Sequence, residues 1–308
     1  MLIYMNLWIP SLGEVEMKPP VFDYLTPSSL TEAAQVINET PGAMIIAGGQ
    51  SLIPALNFKL AWPSALIDIR NIPDLDTIQI DDDEIIVGAS VRHCDVEKDQ
   101  RIGKRHPIMH KAMAYVAHSP IRNRGTVVGS ICHADAAAEM PLILVLTDGY
   151  VTATSVDGSR TIAARDFFKF HMTTSRHDNE IIQSAHFPIP NSMGGYSFQE
   201  FARRSGDYAV AAIACLMTLD NSGKIEEVKI AGCGISHRPI RLNSVEQVVV
   251  GTTLTENDVS QAIEALAESV TSPDDIHATK KYRKYLAGKL LSKSLVEAKE
   301  RAQKRELS

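Results

Sequence analysis
Clustered cysteines are missing from this chain. Only Cys94, Cys132, Cys215 and Cys233 occur in 308 residues. None forms a Cys-x-x-Cys pair, so no zinc or iron–sulfur centre can be held by this chain alone. The four read as reduced structural thiols, which points to a reducing, cytoplasmic setting. A basic excess is missing too. Lys and Arg number 31 against 37 Asp and Glu, a net charge of −6, which excludes the electrostatic footprint of a nucleic-acid binder. No apolar run approaches the ~20 residues that span a bilayer. Met1 to Pro10 is apolar, but no basic residue precedes it and no cleavage site follows, so it is not read as a signal peptide. Met17-Lys18-Pro19-Pro20 reads as a second start, with residues 1–16 an extension outside the fold. Finally, no Gly-x-Gly-x-x-Gly follows the first strand and no Gly-x-x-x-x-Gly-Lys-Ser/Thr occurs. Rossmann and P-loop folds are therefore unsupported.

What is present is a pair of small-residue turns about 80 residues apart. The first is Ala47-Gly48-Gly49-Gln50-Ser51, after the apolar run Ala43–Ile46. The second is Gly125-Thr126-Val127-Val128-Gly129-Ser130. Small residues let backbone N–H groups approach a phosphate, and Ser51, Thr126 and Ser130 add hydroxyl donors. Two such turns can hold the two phosphates of one dinucleotide. A carboxylate repels phosphate, so Asp135 and Glu139 are expected to face a ribose hydroxyl instead.

The pattern around these turns predicts an α+β chain of two domains. Strands are expected over 21–24, 43–46 (buried), 65–69 and 180–186, with hairpins about Asp81–Asp83, Asp157-Gly158 and Asn221–Gly223. Helices are expected over 30–37, from a Ser51 cap through Leu60, over 91–97 and 106–117, over 256–269, and over 280–305 with a solvated basic face. Pro120 is expected to break the pattern before the second turn. Strands over 196–203 and 228–234 are placed in the second domain. The turn-rich stretch 190–195 marks the boundary. Asp81–Asp83 reads as a solvated turn, and Trp8 and Trp62 as packing anchors. His93/Asp95 and His133/Asp135 read as loop or surface hydrogen-bonding pairs, since no nucleophile signature accompanies them. His171 and His177 lack a third metal ligand. No catalytic or metal residue is assigned.

The string Ala47-Gly48-Gly49-Gln50-Ser51-Leu52-Ile53-Pro54 resembles the first flavin motif of the medium, FAD-binding subunits of molybdenum hydroxylases, the family of carbon monoxide, nicotine and xanthine dehydrogenases. The second motif, usually Thr-Ile-Gly-Gly-Ser/Asn before an Ala-His-Ala-Asp stretch and an acid, stands here as Thr126–Ser130, Cys132–Asp135 and Glu139-Met140-Pro141. Pro19–Tyr24, Ile121–Gly125 and Arg203–Ala209 are further echoes, and the likeness covers about residues 18–290. It implies a two-lobed FAD-binding fold of the vanillyl-alcohol-oxidase (PCMH) type over 17–192, then a C-terminal α+β domain over 193–308. It also implies that Ile46 to Ile53 and Thr126, Val127, Val128, Gly129 and Ser130 wrap the FAD pyrophosphate. Glu139 would hold the ribose, Ile182 would pack against flavin or adenine, and Tyr208 would lie near the isoalloxazine. The implied partners are a small subunit with two [2Fe–2S] clusters and a large molybdopterin subunit, in a dimer of heterotrimers whose electrons leave through this chain. Two departures stand out. Glu139 replaces an Asp, and Val128 replaces a glycine, which strains the second turn if that position needs positive φ. A free-standing flavin oxidoreductase and a scaffold that has lost FAD are the alternative readings.

Overall fold
The structure is a computed structural model that describes residues 18–190 and 194–306. The expected 1–16 extension and Trp8 lie outside the described residues, as do 191–193 within the turn-rich stretch.

The first lobe is built on a parallel three-stranded sheet. Its elements are β1 (Asp23–Leu25), α1 (Leu30–Glu39), β2 (Met44–Ile46), α2 (Leu52–Asn57) and β3 (Ala65–Asp68), with strand order β1-β3-β2. Ser29 caps α1 by accepting from Glu32 N–H, and the Glu32 carboxylate accepts in return from Ser28 N–H and Oγ, each at 2.7 Å. Ala33, Ala34 and Ile37 then bury one face of that helix. β2 was expected to be buried, but only Ile46 is. It is an edge strand, so Met44 stays in solvent. Helix α2 ends at Asn57, three residues short of the expected Leu60.

The second lobe is an antiparallel five-stranded sheet with a helical layer. Strands β4 (Ile78–Ile80) and β5 (Glu84–Gly88) form the expected hairpin, with Asp81 Oδ1 accepting from Asp83 and Glu84 N–H groups in the acidic turn. Six helices follow: α3 (His93–Lys98), α4 (Gln100–Arg105), α5 (Pro107–Met113), α6 (Ser119–Arg122), α7 (Val127–His133) and α8 (Glu139–Leu146). Two differences from the sequence reading stand out here. The helix expected over 106–117 stops at Met113. Pro120 sits in the first turn of α6 rather than breaking the chain, because a missing N–H costs nothing there. Strands β6 (Tyr150–Ser155) and β7 (Gly158–Ala163), helix α9 (Ala164–Phe167), a small hairpin of β8 (Phe168–Phe170) and β9 (Thr173–Thr174), and β10 (Ile181–Pro188) complete the lobe. The sheet order is β4-β5-β10-β6-β7. Every residue of α8 is buried, as expected of a helix apolar on all sides.

The C-terminal part pairs β11 (Gly195–Phe201), β12 (Ala211–Leu219), β13 (Ile225–Cys233) and β14 (Ile240–Arg241) in that order, all antiparallel. Helices α10 (Asn243–Val249) and α12 (Lys280–Glu306) pack on it, and α11 (Glu256–Ser269) packs on those two helices. A Thr255–Asp258 capping box starts α11 where the sequence places it. In β12 the two-residue period decides the docking of the lobes. Ala212 and Ala214 join the core of the first two lobes, while Ala211, Ile213, Cys215 and Met217 join the core under α12. Alanines on the first face let the sheet come close. On the other face, a Cβ at Gly195 would lie 1.7 Å from Ala298 O, so glycine sets how near α12 approaches. Polar ties across the junction include Gly234 N–H to Ala136 O at 2.8 Å, and Lys229 and Arg241 to Asp148, each at 2.7 Å.

Candidate cofactor site
The first turn connects β2 to α2 and has two physical needs for glycine. A Cβ at Gly48 would lie 2.4 Å from Arg124 O and 2.6 Å from Gly125 Cα, so the first turn packs directly on the second. Gly49 has φ +71°, which side chains disfavour. Gln50 Nε2 donates to Gly48 O at 3.2 Å and braces the turn. Ile53 N–H donates to Gly49 O. Among the described residues, the N–H groups of Gly49, Gln50, Ser51 and Leu52 meet no acceptor. Ser51, expected to cap α2, makes no capping bond. Its hydroxyl instead lies against Tyr208.

The second turn is a helix start. Thr126 is the N-cap of α7, and its Oγ1 accepts from Gly129 N–H at 3.1 Å. A Cβ at Gly129 would lie 2.6 Å from that oxygen, so the cap and the glycine belong together. Val127 N–H donates to Val91 O and His93 N–H to Gly125 O, which ties the segment to the start of α3. Val127 and Val128 are buried in the main core. Val128 is helical and not among the residues of positive φ. The strain expected at Val128 is therefore absent, because this position asks for helix rather than for a left-handed turn.

Tyr208, Asp135, Glu139 and Glu200 lie close enough to one another for their charges to interact. Glu139 opens α8 and is 5% exposed. Burial, then the Asp135 carboxylate, pushes its carboxyl up to about 7. Glu200, on β11, is pushed up to about 9 by burial and then by Glu139, and its Oε2 has no hydrogen-bond partner among the described residues. Nothing in the sequence pairs Glu139 with Glu200; only the docking of the C-terminal sheet on α8 does so. Tyr208 is largely exposed as a residue, and its hydroxyl is pushed up to about 12 by burial first, then by Asp135 and Glu139. Ile182 sits in the main core on β10, beside a bulge at Ile182/Ser184.

The remaining candidates separate. Trp62, read as a packing anchor, is 67% exposed. His93 was expected in a loop or at the surface, yet it is buried on α3 with no partner for Nδ1 among the described residues, and burial brings its pKa down to about 4. Asp95 instead closes a capping box by accepting from Arg92 N–H. Asp135 accepts from Ala137 N–H at 2.8 Å, and His171 Nδ1 accepts from Ala136 N–H at 3.4 Å. Among the described residues, no group of three ligating side chains could hold a metal, and no helix is long and apolar enough to cross a membrane. All four cysteines are free, and burial pushes the Cys132 thiol up to about 12.

Comparison with known proteins gives this geometry its family. Residues 20–190 match the FAD binding domain in molybdopterin dehydrogenase, and residues 196–298 match the CO dehydrogenase flavoprotein C-terminal domain. The chain is 37% identical over 287 residues to the 6-hydroxypseudooxynicotine dehydrogenase complex subunit alpha of Paenarthrobacter nicotinovorans, covering 93% of this chain and 97% of that one. It is 38% identical to the nicotine 6-hydroxylase medium subunit of the same organism, covering 92% and 99%. Quinoline 2-oxidoreductase from Pseudomonas putida 86 superposes with a TM-score of 0.88 at 36% identity, covering 92% and 99% of the two chains. Both motifs, both domains and the fold lead to one assignment: the chain belongs to the FAD-binding medium subunits of the molybdenum hydroxylases.

Proposed function
We propose that the FAD pyrophosphate lies across the junction of the two turns, held by Ile46, Ala47, Gly48, Gly49, Gln50, Ser51, Leu52 and Ile53 on one side and Thr126, Val127, Val128, Gly129 and Ser130 on the other. The observation that carries this is the row of unpartnered N–H groups from Gly49 to Leu52 beside the point where Gly48 touches Gly125. Neighbouring backbone donors without a protein acceptor fit an anion. The residues present therefore fit the cofactor. Glu139 is assigned to a ribose hydroxyl, Ile182 to a flat apolar contact and Tyr208 to the edge of the flavin. Bound there, FAD supplies one- and two-electron redox chemistry. The protein's share is to hold phosphates with backbone donors, to cover the ring through Tyr208, and to keep acid groups in a buried setting.

The complex we infer joins this subunit to a small subunit with two [2Fe–2S] clusters and a large molybdopterin subunit, as a dimer of heterotrimers. Its electrons leave through this chain to an external acceptor. The domain division is placed at 17–192 and 193–308, and the setting is cytoplasmic. The reaction of the complex is assigned to a nitrogen heterocycle. Relatives named for nicotine, caffeine and quinoline reach 34–38% identity, against 26–31% for those named for carbon monoxide. One titration tests the cofactor assignment. Purified chain is expected to take up one FAD, and Gly48→Ala to bind it about 100-fold more weakly. A colourless protein that takes up no added FAD, or a Gly48→Ala variant that takes it up normally, overturns it.

A further inference from the structure
The five-stranded sheet carries a second polar array, on the face turned away from the main core. The two-residue period of β5 and β10 sends Ile85, Val87, Ala185 and Phe187 into that core and leaves Ser184 and His186 on the opposite face. His186 lies opposite Ile86 of β5 and Tyr150 of β6, and Ser184 opposite Gly88 and Thr152. The bulge at Ile182/Ser184 brings Ser184 opposite Thr152, with Gln183 as the extra residue. His186 is held from both sides. Its ring stacks on Tyr150 with centroids 4.2 Å apart. Nδ1 lies 3.1 Å from Glu84 Oε1, and the Tyr150 hydroxyl donates to Glu84 Oε2 at 2.9 Å. A carboxylate only accepts, so Nδ1 carries the ring proton and Nε2 presents a lone pair. Nε2 lies 3.0 Å from Ser184 Oγ and 3.1 Å from Thr152 Oγ1. Hydroxyl, imidazole and carboxylate thus stand in the order of a nucleophilic triad. The array opens into a cavity of about 550 Å³ that Ser184, His186 and Thr152 all line. A Cβ at Gly88 would lie 2.3 Å from Leu75 O, so glycine lets the connection before β4 lie over the sheet and wall the cavity. Leu30, Leu75 and Ile86 give the cavity an apolar side. Gln79 and Gln183 give it side-chain amides of the kind that stabilise an oxyanion. Gln183 Oε1 accepts from Thr154 at 2.9 Å, which leaves its amide nitrogen to donate. Among the described residues the lining holds the carboxylate of Asp74 and no lysine or arginine, which disfavours an anionic ligand.

We propose that Ser184, His186 and Glu84 form an acyl-transfer site that hydrolyses uncharged esters, separate from the flavin chemistry. Ser184 Oγ attacks the ester carbonyl carbon as its proton passes to His186 Nε2. The bond from that carbon to the alcohol oxygen breaks, and Nε2 gives the proton to the departing alkoxide. Ser184 is left acylated. Water then attacks the same carbon while Nε2 takes its proton, and the acid departs as Ser184 recovers a proton from Nε2. No electron changes hands, so the site does not rest on the flavin assignment. Glu84 touches no substrate. It is a positioning residue that fixes the tautomer and orientation of the ring. Thr152 offers the second hydroxyl, but its branched β-carbon hinders attack.

The test gives the full-length chain two probes, p-nitrophenyl butyrate and an alkyl fluorophosphonate that bonds to activated serines. The phosphonate is expected on Ser184, located by peptide mass spectrometry. The ester should give a burst of p-nitrophenolate followed by slower turnover. Ser184→Ala should lose the label and lower hydrolysis about 100-fold or more, while its melting temperature matches that of the unaltered chain. Glu84→Gln should lower kcat about 100-fold with KM unchanged, because its amide can donate to Nδ1 and put the ring proton on Nε2. Glu84→Asp, which keeps the carboxylate, should recover part of that rate. Chain with and without FAD should hydrolyse the ester equally. Hydrolysis as fast in Ser184→Ala as in the unaltered chain overturns the proposal, as does a label on Thr152 or any other residue. So does a chain that neither takes the label nor cleaves the ester. A Glu84→Gln variant with full kcat removes Glu84 from the site and overturns the triad.

Discussion
The two glycine turns look alike in sequence and differ in physics. In the first, glycine is demanded twice, by contact with Arg124 and Gly125 and by a positive φ at position 49. Among the described residues, the backbone N–H groups that result meet no acceptor. In the second, the small residues serve a capped helix. Gly129 leaves room for the Thr126 hydroxyl, and the two valines beside it pack into the main core. A glycine-rich string can therefore mean an open cradle or a tight cap. The difference lies in which groups remain unsatisfied, not in the composition.

The largest expected effect that breaks the comparison is at Gly48. A methyl there meets backbone, not a flexible side chain. Gly48→Ala should destabilise by about 3 kcal/mol or more and lower FAD affinity by about 100-fold, read by melting and by flavin fluorescence titration. The reverse change in the second turn sharpens the contrast. Val128→Gly restores the family's usual residue, yet it should cost about 2 kcal/mol from lost burial and helix propensity, with no gain in FAD affinity.

The acids behind the second turn give a pH-dependent effect. Glu139 and Glu200 have folded pKa values of about 7 and about 9, raised chiefly by burial. The folded state then binds more protons than the unfolded state above pH 4.5, so stability falls as pH rises from there through the folded pKa values. Glu200→Gln removes the titrating group and should stabilise the apoprotein by about 1–3 kcal/mol at pH 8 and little at pH 5. A melting-temperature gain equal at both pH values would contradict it. Smaller effects should separate the two hydroxyls. Thr126→Ala removes a cap and should cost about 1 kcal/mol in denaturant unfolding. Ser51→Ala removes no cap and should stay within about 0.5 kcal/mol, its effect confined to FAD affinity.

Much of the architecture is legible in local pattern. Helix α11 starts at its capping box, and the hairpin signals at Asp157-Gly158 and Asn221–Gly223 lie where strands reverse. Helix α10 was missed because seven residues with no capping side chain leave little periodic signal. Strand β12 has no alternating pattern to read because both its faces are buried, each against a different core. Of the site, the first turn was legible because its glycines are needed locally. Glu200 and the burial of His93 were not, because their environments come from segments far along the chain.

Sequence by itself determined the family, the cofactor and the position of both motifs, since these rest on short strings whose backbone chemistry is local. It also settled what the chain cannot do alone, because four scattered cysteines hold no cluster. Only the tertiary structure decided that Val128 is unstrained, that Ser51 is not a cap, and that Glu139 and Glu200 share one buried setting. The first rests on a backbone conformation that the string does not announce, the other two on partners or burial supplied by other elements, and no local pattern encodes a neighbour 60 residues away.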